Sequence, residues 1–187
     1  MFVALSNWAY RTARVPILLV LLLLYALFPA YILPHAEQRI NQLAGQQVGI
    51  IDLLPYYQPN VIWQMLDKYG QAARQQYAYI EITADIAYPF VYTALFVVIL
   101  SLLYRNRPYR PFAAINLLPL GIFGFDLAEN TCIVTLLNHY PAISYTWAMA
   151  TGIFTSGKWL FFAITILAVL YGILRGLYEK MRTEQAS

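Results

Sequence analysis

Four stretches of this chain are so apolar over so great a length that water cannot be their main solvent. A helix rises about 1.5 Å per residue and the hydrocarbon layer of a membrane is about 30 Å thick, so about 20 mostly apolar residues make a span. Residues 15–33 (VPILLVLLLLYALFPAYIL), 82–104 (ending IAYPFVYTALFVVILSLLY), 111–137 and 146–174 all qualify. Lipid offers the backbone no hydrogen bonds, so each span must be a helix. Only 11% of the 187 residues are charged, less than half the usual share of a soluble domain. The expected fold class is all-α: a polytopic membrane protein built as a four-transmembrane-helix bundle, a single membrane domain over residues 1–187. The first stretch follows Arg11 and Arg14 and so carries the basic flank of a signal peptide. Its apolar run is longer than a usual h-region and no clean small-x-small site follows, which makes it an uncleaved anchor.

Lysine and arginine placement sets the expected orientation. Arg11 and Arg14 precede the first span, Arg105, Arg107 and Arg110 fill the loop between the second and third, and Arg175, Lys180 and Arg182 follow the fourth. These eight share one side if both termini are cytoplasmic. The other side holds Arg39, Lys68 and Arg74, spread over the longer segment 35–80. The expected location is the cell inner membrane, multi-pass, with N and C termini cytoplasmic.

That extracytoplasmic segment has structure of its own. Ile62, Met65, Leu66 and Tyr69 recur at helical spacing and Gly70 stops the run. Tyr56, Tyr57 and Trp63 suit a membrane interface. The plain expectation is a short helix lying on the outer rim; the sharper one is a cap over a site. From residue 71 no breaker intervenes before the second span, so one long helix is expected to run into it. No internal repeat is visible, which weakens an inverted-repeat transporter.

Against this background the sequence FGFDLAENT (123–131) stands out. Asp126, Glu129 and Asn130 fall at i, i+3, i+4 and share one helix face, continued by Pro119, Ile122, Ile133 and Leu137. In the fourth span Thr151, Lys158 and Thr165 are spaced by seven, flanked by Phe154, Phe161 and Phe162, with Gly152 and Gly157 allowing close helix approach. In the second span Asp85, Tyr88, Pro89 and Tyr92 share a face, with Glu81 one turn further out, and Pro89 deprives the Asp85 carbonyl of its helical donor. Charged groups at mid-span cost about 2.5–3.5 kcal/mol each on insertion scales. Facing one another, they share hydrogen bonds with each other and with the Tyr88 and Tyr92 hydroxyls and the Asn130 amide. Three acids against one lysine then call for a shared proton, a bound cation or water reaching Asp85. A shared proton would titrate as a property of the whole cluster.

A cluster kept only to fix helix register explains Lys158 with one acid well and three acids, two tyrosines and an amide poorly. The first functional expectation is a site for a lipophilic small molecule or membrane lipid. In it Asp126, Glu129 and Asp85 are the candidate catalytic acids, and Lys158, Asn130, Tyr88 and Tyr92 the ligand-binding groups. Whether a reaction follows is left open, and no cofactor can be named. The second is proton- or cation-coupled transport, for which four helices make a thin pathway and a homo-dimer would be needed. The third is an accessory subunit whose polar face meets another protein. Convergence of the polar faces inside one protomer would favour the first; an outward-facing set would favour the last. No serine stands beside a histidine, which disfavours a hydrolytic triad, and a net charge of +3 without basic–aromatic runs gives no reason to expect nucleic acid. No metal site is assigned: His35 and His139 both fall near the outer surface, too far from Glu129 to share its ion, although Asp85, Asp126 and Glu129 offer oxygens to a hard cation. Cys132 is the single cysteine, so no internal disulfide exists, and it reads as a small packing residue.

The order KYGQAARQQY (68–77), DIAYPFVY (85–92), DLAEN (126–130) and then Lys158 resembles small four-span bacterial integral membrane proteins of unassigned function. The layout is also superficially similar to small four-helix membrane proteins of the sterol-isomerase type, which use buried acids on a lipid. No residue-by-residue mapping follows from either likeness, so neither adds an activity.

Overall fold

A computed structural model describes residues 2–54, 58–105 and 114–185. Among them every regular element is helical. A short helix α1 (Phe2–Thr12) precedes α2 (Val15–Leu27), which passes through a π-helical turn (Phe28–Ile32) into α3 (Leu33–Ala44). A 3-10 turn (Ile51–Leu53) leads to α4 (Pro59–Glu81) and α5 (Ala84–Tyr104). A second 3-10 turn (Ile115–Leu117) opens α6 (Pro119–His139), and α7 (Tyr145–Glu184) closes the chain. Four helical stretches are long and apolar enough to cross a membrane: Val15–Ala44, Pro59–Tyr104, Ile115–His139 and Tyr145–Glu184. The first and last run well past the expected 15–33 and 146–174. Arg107, Arg110, Tyr56, Tyr57 and the expected start of the third span at residue 111 lie outside the described residues.

The surface is turned inside out relative to a soluble bundle. α2 has no buried residue, and its leucines point outward. In α1 the small residues Ser6 and Ala9 are buried while Phe2, Val3 and Trp8 are exposed. Pro29 cannot donate a hydrogen bond to the Tyr25 carbonyl; Phe28 N–H takes that carbonyl instead, and the ladder loosens into the π turn. Gly45, in the left-handed region at φ 69°, ends α3. The chain then folds back under α3, held by Val48 N–H on Asn41 Oδ1 at 2.9 Å and by Tyr69 OH on the Gly49 carbonyl at 3.0 Å.

The segment between α3 and α5 packs on one end of the bundle and forms a cap there. Ile62, Leu66 and Tyr69 are fully buried, as the spacing requires, and they join Ile40, Ile51 and Tyr77 in one core with Ile133 and Leu136 of α6. Gly70 (φ 67°, ψ 171°) breaks α4 at the expected place. The Arg74 guanidinium straps the break, donating to the Leu66 carbonyl at 2.8 Å and lying 4.2 Å from the centre of the Tyr140 ring. The unbroken helix expected from residue 71 into the second span is not found. It is interrupted at Thr83 (φ −120°, ψ −83°), whose hydroxyl donates back to the Tyr79 carbonyl at 2.6 Å. A threonine that bonds to the preceding turn competes with the ladder, and a new helix starts at Ala84.

α6 and α7 form the tightest pair. At Gly157 an added Cβ would run into the Phe125 ring, and at Gly121 into the Phe161 ring. Each helix therefore seats an aromatic ring in a glycine notch of the other. That reciprocal fit fixes their register and carries Lys158 to the level of Asp126 and Glu129.

Candidate functional site

Lys158 projects from α7 into the bundle, where its Nζ lies 2.5 Å from Glu129 Oε2, 3.1 Å from Asp126 Oδ1 and 3.3 Å from the Asp52 carbonyl oxygen. Asp126 accepts in addition from Tyr92 OH at 2.5 Å, and Glu129 from the Thr155 hydroxyl at 2.5 Å. The i, i+3 spacing on α6 thus delivers two carboxylates to one ammonium, as the sequence suggested. The polar faces of α5, α6 and α7 converge inside a single chain.

Pro89 explains Asn130. Proline at position 89 leaves the Asp85 carbonyl without its helical donor, and Asn130 Nδ2 takes the place of the missing N–H at 2.8 Å. The amide therefore ties α6 to α5 at the point where the helix is open. Its Oδ1 is buried and, among the described residues, accepts nothing. Tyr88 stands between Tyr25 and Phe28 of the first span, its ring stacked at 5.7 Å and 4.7 Å on theirs, and meets Tyr92 edge-on.

These groups border a cavity of about 270 Å³. Asp85, Asp126, Asn130 and Lys158 form its polar wall together with Asp52; Tyr25, Tyr88, Trp159 and Phe162 form its aromatic one. Glu129 does not line it and stands behind Lys158 with its side chain fully enclosed. A neighbouring cavity of about 260 Å³ shares Pro29, Leu33, Asp52 and Asp85 and extends towards Glu37 and Tyr77. α2 packs on α5, and α7 on α6 and α5, while α2 and α7 have no extensive packing with one another. Two residues of its lining, Trp159 of α7 and Leu53 of the 3-10 turn, are exposed.

Several contributors escaped the sequence reading. Asp52 comes from the 3-10 turn between α3 and α4 and takes a hydrogen bond from Tyr77 OH at 3.2 Å. A lone acid in VGIIDLL was the available signal. Burial raises the Asp52 carboxyl above its ordinary range; the Lys158 ammonium opposes that rise and the Asp126 charge adds to it. Thr155 lies one turn before Lys158 and next to the noted Thr151 stripe. Glu81, noted in the sequence one turn beyond Asp85, is fully buried, and among the described residues neither of its carboxylate oxygens has a hydrogen-bond partner. Five of the nine acids in the chain, Asp52, Glu81, Asp85, Asp126 and Glu129, are thus gathered around one lysine. His35 and His139 bond carbonyls of their own helices at the surface, well away from this group.

Fold and site define the class: a multi-pass, all-helical membrane protein with a buried lysine–carboxylate cluster beside an aromatic cavity. Comparison with protein-family models, with curated proteins and with solved structures returns no match. The particular role therefore has to be argued from the site.

Proposed function

We propose that this chain binds a lipophilic small molecule or lipid in the cavity bordered by α2, α5, α6 and α7, entered sideways from the bilayer between α2 and α7. The observation that carries this reading is the cavity itself: polar groups of four elements converge in its lining, and aromatic rings line it as well. A cluster that only fixed helix register would gain nothing from an open space beside it, and a face for assembly would point outward. Asp85 and Asp126, which line the cavity, are the groups on which acid–base chemistry would rest. Glu129, enclosed by Lys158 and Thr155, would position Lys158. Asn130, Tyr88 and Tyr92 would shape the wall.

The same reading places both termini in the cytoplasm and the cap on the outer face of the inner membrane. It is supported by the gathering of Arg11, Arg14, Arg105 and Arg175 at the end of the bundle opposite the cap, where the Arg105 guanidinium bonds the Ala13 carbonyl. Transport coupled to protons or cations draws its support from Glu81, whose carboxylate, without a partner among the described residues, extends the acidic group towards the cap.

Native mass spectrometry of the protein purified in mild detergent tests the proposal. A retained lipophilic species is expected, and Leu33→Trp, which fills the shared wall of both cavities, should release it while the protein stays folded. Retention unchanged by Leu33→Trp would reject the cavity as the binding site.

A further inference from the structure

We propose that the molecule taken by this cavity is a lipophilic cation, an amine or quaternary ammonium group carried on an apolar chain. The inference rests on the reading of the cavity as a lipophilic site and concerns the charge at the ligand's polar end. An ammonium has three donors, and the three of Lys158 already face Glu129, Asp126 and the Asp52 carbonyl. The one base in the wall is therefore saturated and has nothing left for an anionic head. Asp85 is the opposite case. It is 9% exposed and lines both cavities, and among the described residues its carboxylate has no hydrogen-bond or ion-pair partner, only its backbone carbonyl being taken, by Asn130.

The remaining charged groups in the two linings are Asp52, Asp126 and Glu37, all acids. An anion entering here would meet like charges, with only neutral tyrosine and tryptophan donors to receive it. A neutral head would leave the Asp85 carboxyl without a charged partner in a desolvated wall, where an unsatisfied polar group is costly. A cationic head pairs with Asp85 in a wall that also holds the aromatic rings of Tyr25 and Trp159, while its chain takes the apolar remainder of the lining. The arrangement of an unpaired carboxylate, a saturated lysine and an aromatic wall selects for positive charge.

Equilibrium dialysis of labelled decyltrimethylammonium, decanol and decanoate against the full chain in a neutral sugar detergent, below the probes' own micelle concentrations, tests this assignment. Decyltrimethylammonium should bind saturably and about tenfold or more tighter than decanol, with decanoate weakest. Asp85→Asn, checked for folding by gel filtration, should erode the preference of the ammonium over decanol. Decanol or decanoate binding as tightly as the ammonium, or a preference unaltered in folded Asp85→Asn, would overturn the charge assignment and leave the lipophilic site standing. Saturable binding of none of the three would remove both. If Asp85→Asn does not fold, the order of affinities in the wild-type chain is decisive by itself.

Discussion

Two buried polar groups occupy opposite ends of this bundle, and they are built differently. At the end near α1, Ser6, Ser101 and Asn116 join three elements with neutral hydrogen bonds. Ser6 Oγ donates to Asn116 Oδ1 at 2.7 Å, and Asn116 Nδ2 donates to the Ser6 carbonyl at 3.1 Å and to Ser101 Oγ at 3.0 Å. All three residues are at most 1% exposed and none borders a described cavity. At the cap end, ionisable and amide groups converge beside open space, and among the described residues acceptors are left over on Glu81 and Asn130. The first group is what polar adhesion between membrane helices looks like when adhesion is its whole role: few groups, each matched, nothing left over. The second has more groups than adhesion needs and keeps room next to them. The contrast within one molecule favours a site more strongly than the lysine–carboxylate cluster does by itself.

The comparison can be broken most directly at Lys158. Lys158→Met leaves Asp126 and Glu129 buried beside one another without their cation, a change that costs about 3–5 kcal/mol. Thermal unfolding in detergent should show that loss, and adding Glu129→Gln to Lys158→Met should recover part of it. Full additivity would mean that the pair is not coupled. Next comes the helix interlock: Gly157→Ala should cost about 1–3 kcal/mol by pushing the Phe125 ring out of its notch, and should weaken ligand retention by shifting Lys158.

Asn116→Leu should cost a similar or smaller amount, about 1–3 kcal/mol, through the orphaned serines, with ligand retention intact. Retention lost in Asn116→Leu as much as in the cap-end variants would erase the distinction between the two ends. Asp126→Asn and Glu129→Gln sharpen it from the other side. Each should disturb ligand retention well beyond its effect on stability, and an equal loss of folded protein in both would return the cluster to a purely structural role.

The smallest expected effect is on pH dependence. Asp52 has its pKa raised by burial, so the folded state holds that proton more tightly than the unfolded chain does. Its contribution is complete below the unfolded value and is lost as pH rises through the folded one. Asp52→Asn should therefore flatten the fall in melting temperature with rising pH, and an unchanged slope would mean that Asp52 is not buried in solution.

Much of the architecture was legible because it depends on local pattern. The apolar lengths of the four spans, the stop at Gly70, the shared face of Asp126, Glu129 and Asn130, and the glycine at 157 as a point of close approach each follow from spacing along one helix. What misled was also local: nothing between residues 71 and 85 is a recognised breaker, yet Thr83 turned the chain through its own hydroxyl. The surplus of carboxylates over lysine was evident, and its true extent was not. Asp52 lies 106 residues from the lysine whose proton its carbonyl accepts, and no periodicity links a 3-10 turn to the middle of α7.

The sequence alone pointed to an all-helical bundle with four membrane-spanning lengths, and to intramembrane charges that need polar partners, because exposing them to hydrocarbon is costly. Tertiary structure decided which carboxylates stay unpaired among the described residues: Asp85 in the cavity wall and Glu81 behind it. That choice depends on the return of the Ile51–Leu53 turn to Lys158, on the Asn130 amide filling the gap that Pro89 makes, and on the space left between α2 and α7. These are contacts between distant segments, set by how the helices pack rather than by the order of residues along any one of them.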